Sequence, residues 1–443
     1  MCLFSALEEV VQRLRNITVP IYPIHPHSVL IVSLVVFISI LFFAFSTTLY
    51  YWWISSRCAS RYLSFDLRGK VYVVTGANSG IGARVVKELY DRGATVFAVV
   101  RRPDAMIEVV IVAGDLSCNR SVRSAAAAIR GATNAIDGLV CNAGMGAARS
   151  RVVTADGIEH VIQVNFFGHA LLTHLLLVRL RAANGVVVNV SSFIASMARM
   201  PDLVNISYAD GDYSGLQAYC RSKWLLAAHS RQQARSQRGR VSIFAVNPGI
   251  VYTKIADYFI AFALPKWLMP PLLPLCHAGE WLISRSVYQA ALTIWPLLVD
   301  PSVRPESGSY LDNHRVTEII ELSEVHRRRL GFTVGQMLHR FSHRRAPNVD
   351  AELTDGDLER DSLEMTEEEE EVAKKTKEIV TMSSLEGIAK AAEEEAEKKP
   401  TDKKKRTIFR SIRGFIRSHS LRRAASVSGG KETSTAEETK KKK

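Results

Sequence analysis

Residues 70–102 read KVYVVTGANSGIGARVVKELYDRGATVFAVVRR, and no other stretch narrows the fold so far. Residues 71–74 form a continuous apolar run, the pattern of a strand buried on both faces. Thr75, Gly76, Gly80 and Gly82 follow, then a helical pattern through Val85, Val86 and Leu89, then a second apolar run at 95–100. Glycines at a strand-to-helix turn let the backbone approach a pyrophosphate, and the helix N-terminus stabilises the anion. A lone glycine triplet is a weak signal. Set between an apolar strand and a helix, with a second strand close behind, it predicts a dinucleotide-binding βαβ unit. About 20 residues past the turn, an acidic residue would hold an NAD ribose. Arg101 and Arg102 stand there instead, and a guanidinium suits the 2′-phosphate of NADP(H).

The same pattern recurs along the chain. Apolar runs at 109–113, 136–141, 185–190 and 241–246 end at Asp115, at Asn142-Ala143-Gly144, at Ser191-Ser192 and at Asn247-Pro248-Gly249. Helical stretches at 161–180 and 219–235 alternate with them, and a last short strand falls near 309–311. Strands alternating with helices specify an α/β doubly wound parallel sheet, a Rossmann arrangement. In such a sheet ligands bind off the carboxyl ends of the strands, where these polar and glycine residues fall. The apolar fraction of 47% is ample for that core over a domain spanning residues 66–325. Only a few residues join the strands ending at 100 and beginning at 109, fewer than a parallel crossover normally takes. That predicts a rebuilt sheet edge, or a segment missing from the chain.

Tyr219 and Lys223 stand four apart in QAYCRSKWLLAAHS, a helical stretch, so they share one helix face. A phenol with a pKa near ~10 is a poor acid or base at neutral pH. A neighbouring ammonium is expected to lower that value and make Tyr219 a usable acid/base. Six cysteines show neither paired spacing nor a C-x-x-C, which predicts reduced thiols, and no residue pattern suggests a metal.

Residues 28–54 carry no charge, longer than the ~20 residues needed to span a bilayer, and Tyr50, Tyr51, Trp52 and Trp53 close one end. A cleaved signal would be shorter and end in small residues, so a retained transmembrane anchor behind a lead at 1–27 is expected. Arg57, Arg61, Arg68 and Lys70 follow it. The positive-inside bias then places the C-terminal side in the cytosol and the sequon at Asn16 in the lumen. Residues 257–275 are apolar but interrupted by four prolines, which suits a lid, a flap dipping into the membrane, or core. Many of the basic residues lie in the tail, so the formal charge of +13 reads as a membrane-surface or tail property and not as a nucleic-acid groove. Residues 345–443 are charge-rich and predict disorder, except for a basic amphipathic helix at 407–423 fitting a membrane surface or a calmodulin-like partner.

The ordered set Thr75-Gly76-x3-Gly80-x-Gly82, Asn142-Ala143-Gly144, Asn165, Ser192, Tyr219-x3-Lys223 and Pro248-Gly249 resembles the short-chain dehydrogenases/reductases. TADGIEHVIQVNFFGHALLTHLLL, AYCRSK and the long interval from Ser192 to Tyr219 resemble the retinol-dehydrogenase-like branch, many of whose members carry an N-terminal anchor. The resemblance implies a catalytic set of Tyr219 as acid/base, Lys223 on the nicotinamide ribose, Ser192 on the substrate oxygen, and Asn165 keeping a helix irregular and holding a relay water. For the cofactor it implies Thr75, Gly76, Asn78, Ser79, Gly80, Ile81 and Gly82 at the phosphates, and Arg101 at the 2′-phosphate. Asp115 would meet adenine, and Asn142, Ala143 and Gly144 would lie beside the adenosine. Pro248, Gly249, Val251 and Thr253 would lie near the nicotinamide or pyrophosphate.

The expected function is a membrane-anchored, NADP(H)-dependent oxidoreductase interconverting an alcohol and a carbonyl on a lipophilic substrate: a retinoid, steroid, fatty aldehyde or polyprenol. Its expected place is the endoplasmic reticulum membrane, single-pass, with a homodimer and the tail's partner left open. Two alternatives stand beside it: a scaffold of the same fold acting through its charged tail, and a lipid-droplet enzyme whose apolar segment forms a hairpin.

Overall fold

A computed structural model of the chain describes residues 64–102, 109–148, 150–199, 206, 213–251, 284–312, 315–317 and 322–342, with single residues between 31 and 53 and at 371 and 374. The flap at 257–275, the basic segment at 407–423 and Thr253 lie outside the described residues. Met1–Ile54 and Ser55–Lys443 form separate units. In the first, the described residues are helical, and Ile31, Leu34, Val35, Ile38, Phe42, Phe45 and Leu49 are all exposed.

In the second unit, eight strands form one sheet: β1 (Val71–Thr75), β2 (Thr95–Val100), β3 (Val110–Ala113), β4 (Gly138–Cys141), β5 (Val186–Val190), β6 (Ser242–Asn247), β7 (Tyr310–Asp312) and β8 (Arg315–Thr317). Their order is β3-β2-β1-β4-β5-β6-β7-β8, parallel throughout except for the last pair. Winding starts at β1, runs outward to β3, then restarts beside β1 at β4. The carboxyl ends of β1 and β4 therefore flank a crevice at the switch point.

Both faces of the sheet are covered, which explains strands without polar alternation. Val73, Phe97, Val99, Leu139, Val187 and Ile243 point into one layer, with α2 (Asn119–Ala132), α3 (His160–Ala182) and α4 (Gly215–Ser236). Tyr72, Val74, Ala98, Val140, Val188 and Phe244 point into the other, with α1 (Gly80–Asp91), α5 (Val287–Ala291) and α6 (Trp295–Val299). Among the described residues α3 is long and apolar enough to cross a bilayer, yet it is buried nearly all round inside the fold.

β2 and β3 keep regular parallel pairing, Phe97 against Val110 through Val100 against Ala113. The expected rebuilding of this edge is therefore not seen in the pairing. An extended link over 101–109 can reach roughly 30 Å, well beyond the roughly 13 Å of a four-residue strand. Beyond β8, α7 (Glu324–Ser342) extends the packed body past residue 325. It seats Leu330, Val334 and Leu338 against α3 and α4 at helical spacing, with Phe341 edge-on to Phe167.

α1 is fastened by a buried carboxylate. Glu88 accepts hydrogen bonds from the Arg84 and Arg92 guanidiniums, one turn to either side. Those cations stack on Tyr288 of α5 and Trp295 of α6. Glu88→Ala is expected to lower the unfolding free energy by about 2–3 kcal/mol. That is below the roughly 3–5 kcal/mol of a fully buried broken pair, because Arg84 is partly solvated. A urea midpoint equal to wild type would contradict it.

Candidate active site

β1 ends in a turn that a dinucleotide phosphate fits. Gly76 and Gly80 have φ of +63° and +55°, a region that favours glycine. A Cβ on Gly82 would lie 2.4 Å from the Gly76 carbonyl oxygen, and one on Gly76 2.9 Å from Ala143 Cα, so neither position has room for a side chain. Asn78 and Ser79 are exposed on the turn, and Ile81 is buried beneath it. Ser79 makes no side-chain cap and the first turn of α1 has no acid. The positive helix end is thus left to an external anion.

Thr75 ties this turn to β4. Its Oγ1 accepts the Asn142 and Ala143 amides at 2.9 and 3.0 Å, while Asn142 Nδ2 donates to the Thr75 carbonyl at 3.0 Å. Arg101 is exposed at the end of β2. Asp115, after β3, uses Oδ1 to accept the Ser117 amide and hydroxyl at 2.9 and 2.7 Å. After β6, Gly249 has φ of +84° and donates its amide to Asn247 Oδ1 at 3.1 Å. Val251 bridges to Arg285, whose Nη1 donates to the Pro248 carbonyl at 3.1 Å. Arg285 is almost fully buried, a placement that no local motif announces.

Tyr219 and Lys223 sit one turn apart on α4, both buried. Ser214 caps that helix by accepting the Gln217 amide, and a Cβ on Gly215 would strike the Ala148 carbonyl at 1.7 Å. Ser192, after β5, opens a short 3₁₀ turn and shares a hydrogen bond with the Tyr219 phenol. Lys223 Nζ donates to the Val190 carbonyl at 2.8 Å, and the Ser191 hydroxyl donates to the Lys223 carbonyl at 3.0 Å.

The electrostatics correct one expectation. Burial pushes the Tyr219 phenol well above its ordinary value, with the Ser192 hydrogen bond opposing and the Cys220 thiol adding to the rise. The ammonium is directed at a carbonyl, and burial outweighs what would lower the phenol. Burial also lowers Lys223 to about 8, because a low-dielectric interior disfavours its charged form.

Asn165 lies in a π-helical turn (Gln163–Phe167) inside α3. Its Oδ1 accepts the Met145 amide at 2.8 Å. Its Nδ2 donates to the Met145 carbonyl at 2.9 Å and to Ser222 Oγ at 3.0 Å. The Ser222 hydroxyl in turn donates to the Tyr219 carbonyl at 2.7 Å. A Cβ on Gly144 would touch both Asn165 Oδ1 and Lys223 Nζ, at 3.3 and 3.6 Å. His169, absent from the motif reading, contacts Thr75 Oγ1 through Nε2 at 2.9 Å and the Asn165 carbonyl through Nδ1 at 3.2 Å.

A glycine turn at the switch point, with a half-buried Ser after β5 bonded to a buried Tyr that shares its helix with a buried Lys, defines a dinucleotide-dependent dehydrogenase. The short chain dehydrogenase family model matches residues 70–261. Bovine dehydrogenase/reductase SDR family member 13 is 33% identical over 270 residues, covering 57% of this chain and 68% of that protein. Human retinol dehydrogenase 12 is 36% identical over 270 residues, covering 57% of this chain and 80% of that protein. Human retinol dehydrogenase 13 is 30% identical over 261 residues, covering 55% and 76%. The chain belongs to the short-chain dehydrogenase family, in its retinol-dehydrogenase-like branch: an oxidoreductase homologous to retinol dehydrogenases, from a family that uses a nicotinamide dinucleotide.

The depressed basicity of Lys223 has a sign. From about pH 8 up to the ordinary lysine value of 10.5, the unfolded chain binds more protons than the folded one, so this group makes stability rise with pH. At neutral pH the buried ammonium opposes folding. Lys223→Met is expected to raise the unfolding free energy by about 1–3 kcal/mol at pH 7, with the gain shrinking as the pH is raised toward 10.5. A gain independent of pH in urea titrations would contradict this.

Proposed function

We propose that the chain is a membrane-anchored oxidoreductase that moves a hydride between NADP(H) and a lipophilic alcohol or carbonyl. The observation that carries the reading is the hydrogen bond of half-buried Ser192 to the buried Tyr219 phenol, with buried Lys223 one helical turn away. When bound, the nicotinamide supplies the hydride donor or acceptor. The Ser192 hydroxyl orients the substrate oxygen, and the Tyr219 phenol moves the proton at that oxygen. Kept protonated by burial, the phenol suits donation to a carbonyl, the reductive direction. Lys223 holds ribose hydroxyls, and Asn165 keeps the π turn that sets Met145 and Ser222 around it. The turn at 75–82 with the uncapped end of α1 takes the phosphates, and Asn142, Ala143, Gly144 and Asp115 take the adenosine. Pro248, Gly249, Val251 and Thr253 border the nicotinamide, and exposed Arg101 takes the 2′-phosphate, which favours NADP(H).

Phe193 and Met197, next to Ser192, and Ile250, next to Gly249, are exposed apolar side chains flanking this site, which suits a retinoid, steroid, fatty aldehyde or polyprenol. Residues 28–54 serve as the anchor after the lead at 1–27, holding the 66–325 domain on the cytosolic face of the endoplasmic reticulum membrane. The 345–443 tail makes a further surface contact through 407–423. Glycosylation at Asn16 separates this topology from a lipid-droplet hairpin.

The test is NADPH-dependent reduction of all-trans-retinal and a steroid panel. Tyr219→Phe is expected to lower turnover by about 10²–10⁴-fold while NADPH binding persists. Absence of NADPH binding, or of turnover with every lipid carbonyl, would overturn the reading in favour of a scaffold.

A further inference from the structure

One buried titratable side chain of the crevice has no task in that scheme. His169 lies one turn after Asn165 on α3 and is 1% exposed. Its Nδ1 is 3.2 Å from the Asn165 carbonyl oxygen, which can only accept, so Nδ1 carries the proton. Burial, with Lys223 nearby, lowers its pKa to about 3 and keeps the ring neutral, so Nε2 presents a lone pair. Thr75 Oγ1 stands 2.9 Å from that lone pair and has one proton to give. The competing acceptor, the Val140 carbonyl, is more distant at 3.3 Å. Once the Thr75 proton is directed at His169, both lone pairs of Oγ1 are left for the Asn142 and Ala143 amides, and the hydroxyl is saturated.

We propose that His169 is a positioning residue. It orients the Thr75 hydroxyl, so that the phosphate turn after β1, the Asn142–Gly144 turn after β4 and the irregular turn at Asn165 are clamped into one rigid cradle. The proposal rests on the nucleotide reading of this crevice. Glycine-rich turns have no side chains with which to hold their own shape, and the Thr75 oxygen is the atom both turns share. Without an acceptor at His169 the hydroxyl turns to Val140, and its lone pairs rotate away from the two amides. The cradle then has to be ordered when the dinucleotide binds, and affinity falls.

The experiment uses the full chain in detergent micelles, with NADPH affinity measured by fluorescence titration and stability by urea unfolding. His169→Leu and Thr75→Val are each expected to weaken NADPH binding about ten-fold. The double variant should be no weaker than either single one, because both sever the same link. His169→Gln, whose amide can both donate and accept, should recover most of the affinity. Losses that multiply in the double variant, wild-type affinity in His169→Leu, or no recovery by Gln would overturn the proposal. Imidazole nitrogen shifts, read by NMR in the dinucleotide-free chain, should show the Nδ1–H form, and the Nε2–H form would also overturn it. If wild type itself binds no NADPH, the nucleotide reading fails, and the tautomer still decides whether the clamp exists.

Discussion

A parallel sheet has to be covered on both faces, because its connections are crossovers and its strands are apolar all round. That constraint organises this molecule. Helices can reach both faces only if the chain winds in one sense from β1 to β3 and then restarts from β1 toward β7. The restart sets the loops after β1 and β4 side by side at the carboxyl strand ends, where they meet through Thr75. Thr75, Asn142, Ser192 and Gly249 hang from carboxyl strand ends there, and Asn165, His169, Tyr219 and Lys223 join them from α3 and α4. The site is a consequence of how the core is closed, and the glycines are what allow backbone to come together there.

Much of this was legible because the constraint writes itself into one-dimensional pattern. A strand buried on both faces must be a solid apolar run, and residues 71–74, 95–100 and 185–190 are such runs. The structure departs from the pattern where a residue's partners lie far away in sequence. The stretch HRRRLGFTVGQMLHRFS is rich in cations and reads as surface, yet Leu330, Val334 and Leu338 form a narrow stripe that α3 and α4 bury. The irregular helix at Asn165 was expected from the family resemblance and not from local pattern, since Asn165 is held there by Met145 and Ser222 from other elements. Arg285 and His169 were invisible for the same reason, each taking its meaning from a carbonyl or hydroxyl on a different element.

The Tyr219–Lys223 pair shows why spacing alone misjudges electrostatics. Four residues of helix bring the two onto one face, and from that the ammonium is expected to acidify the phenol. Burial acts on both groups at once and in opposite directions: it raises the acid and lowers the conjugate acid of the base. The Val190 carbonyl then captures the lysine's hydrogen bond. In this state the interior holds a neutral, proton-bearing phenol beside a weakly basic amine. The Coulombic partnership inferred from sequence is outweighed by burial in this state, and strengthening it takes a ligand that meets the other donors of Nζ. A ligand with hydroxyls to offer near Gly144 has that chemistry, since Nζ would lie 3.6 Å from a Cβ built there.

This makes rigidity in the rest of the crevice matter more. If one cation must meet a ligand, the groups around it have to hold still while it does so, or the contact loses its geometry. Asn165 provides stillness on one side, spending both side-chain termini on Met145 and Ser222. The Thr75 oxygen provides it on the other, saturated by two amides and by the imidazole it donates to. Each of these links joins elements far apart in sequence, and those of Thr75 to His169 and of Asn165 to Ser222 are buried, where a lost partner is costly. A buried lysine within a frame of hydrogen bonds is the arrangement that lets binding add one interaction without loosening the rest.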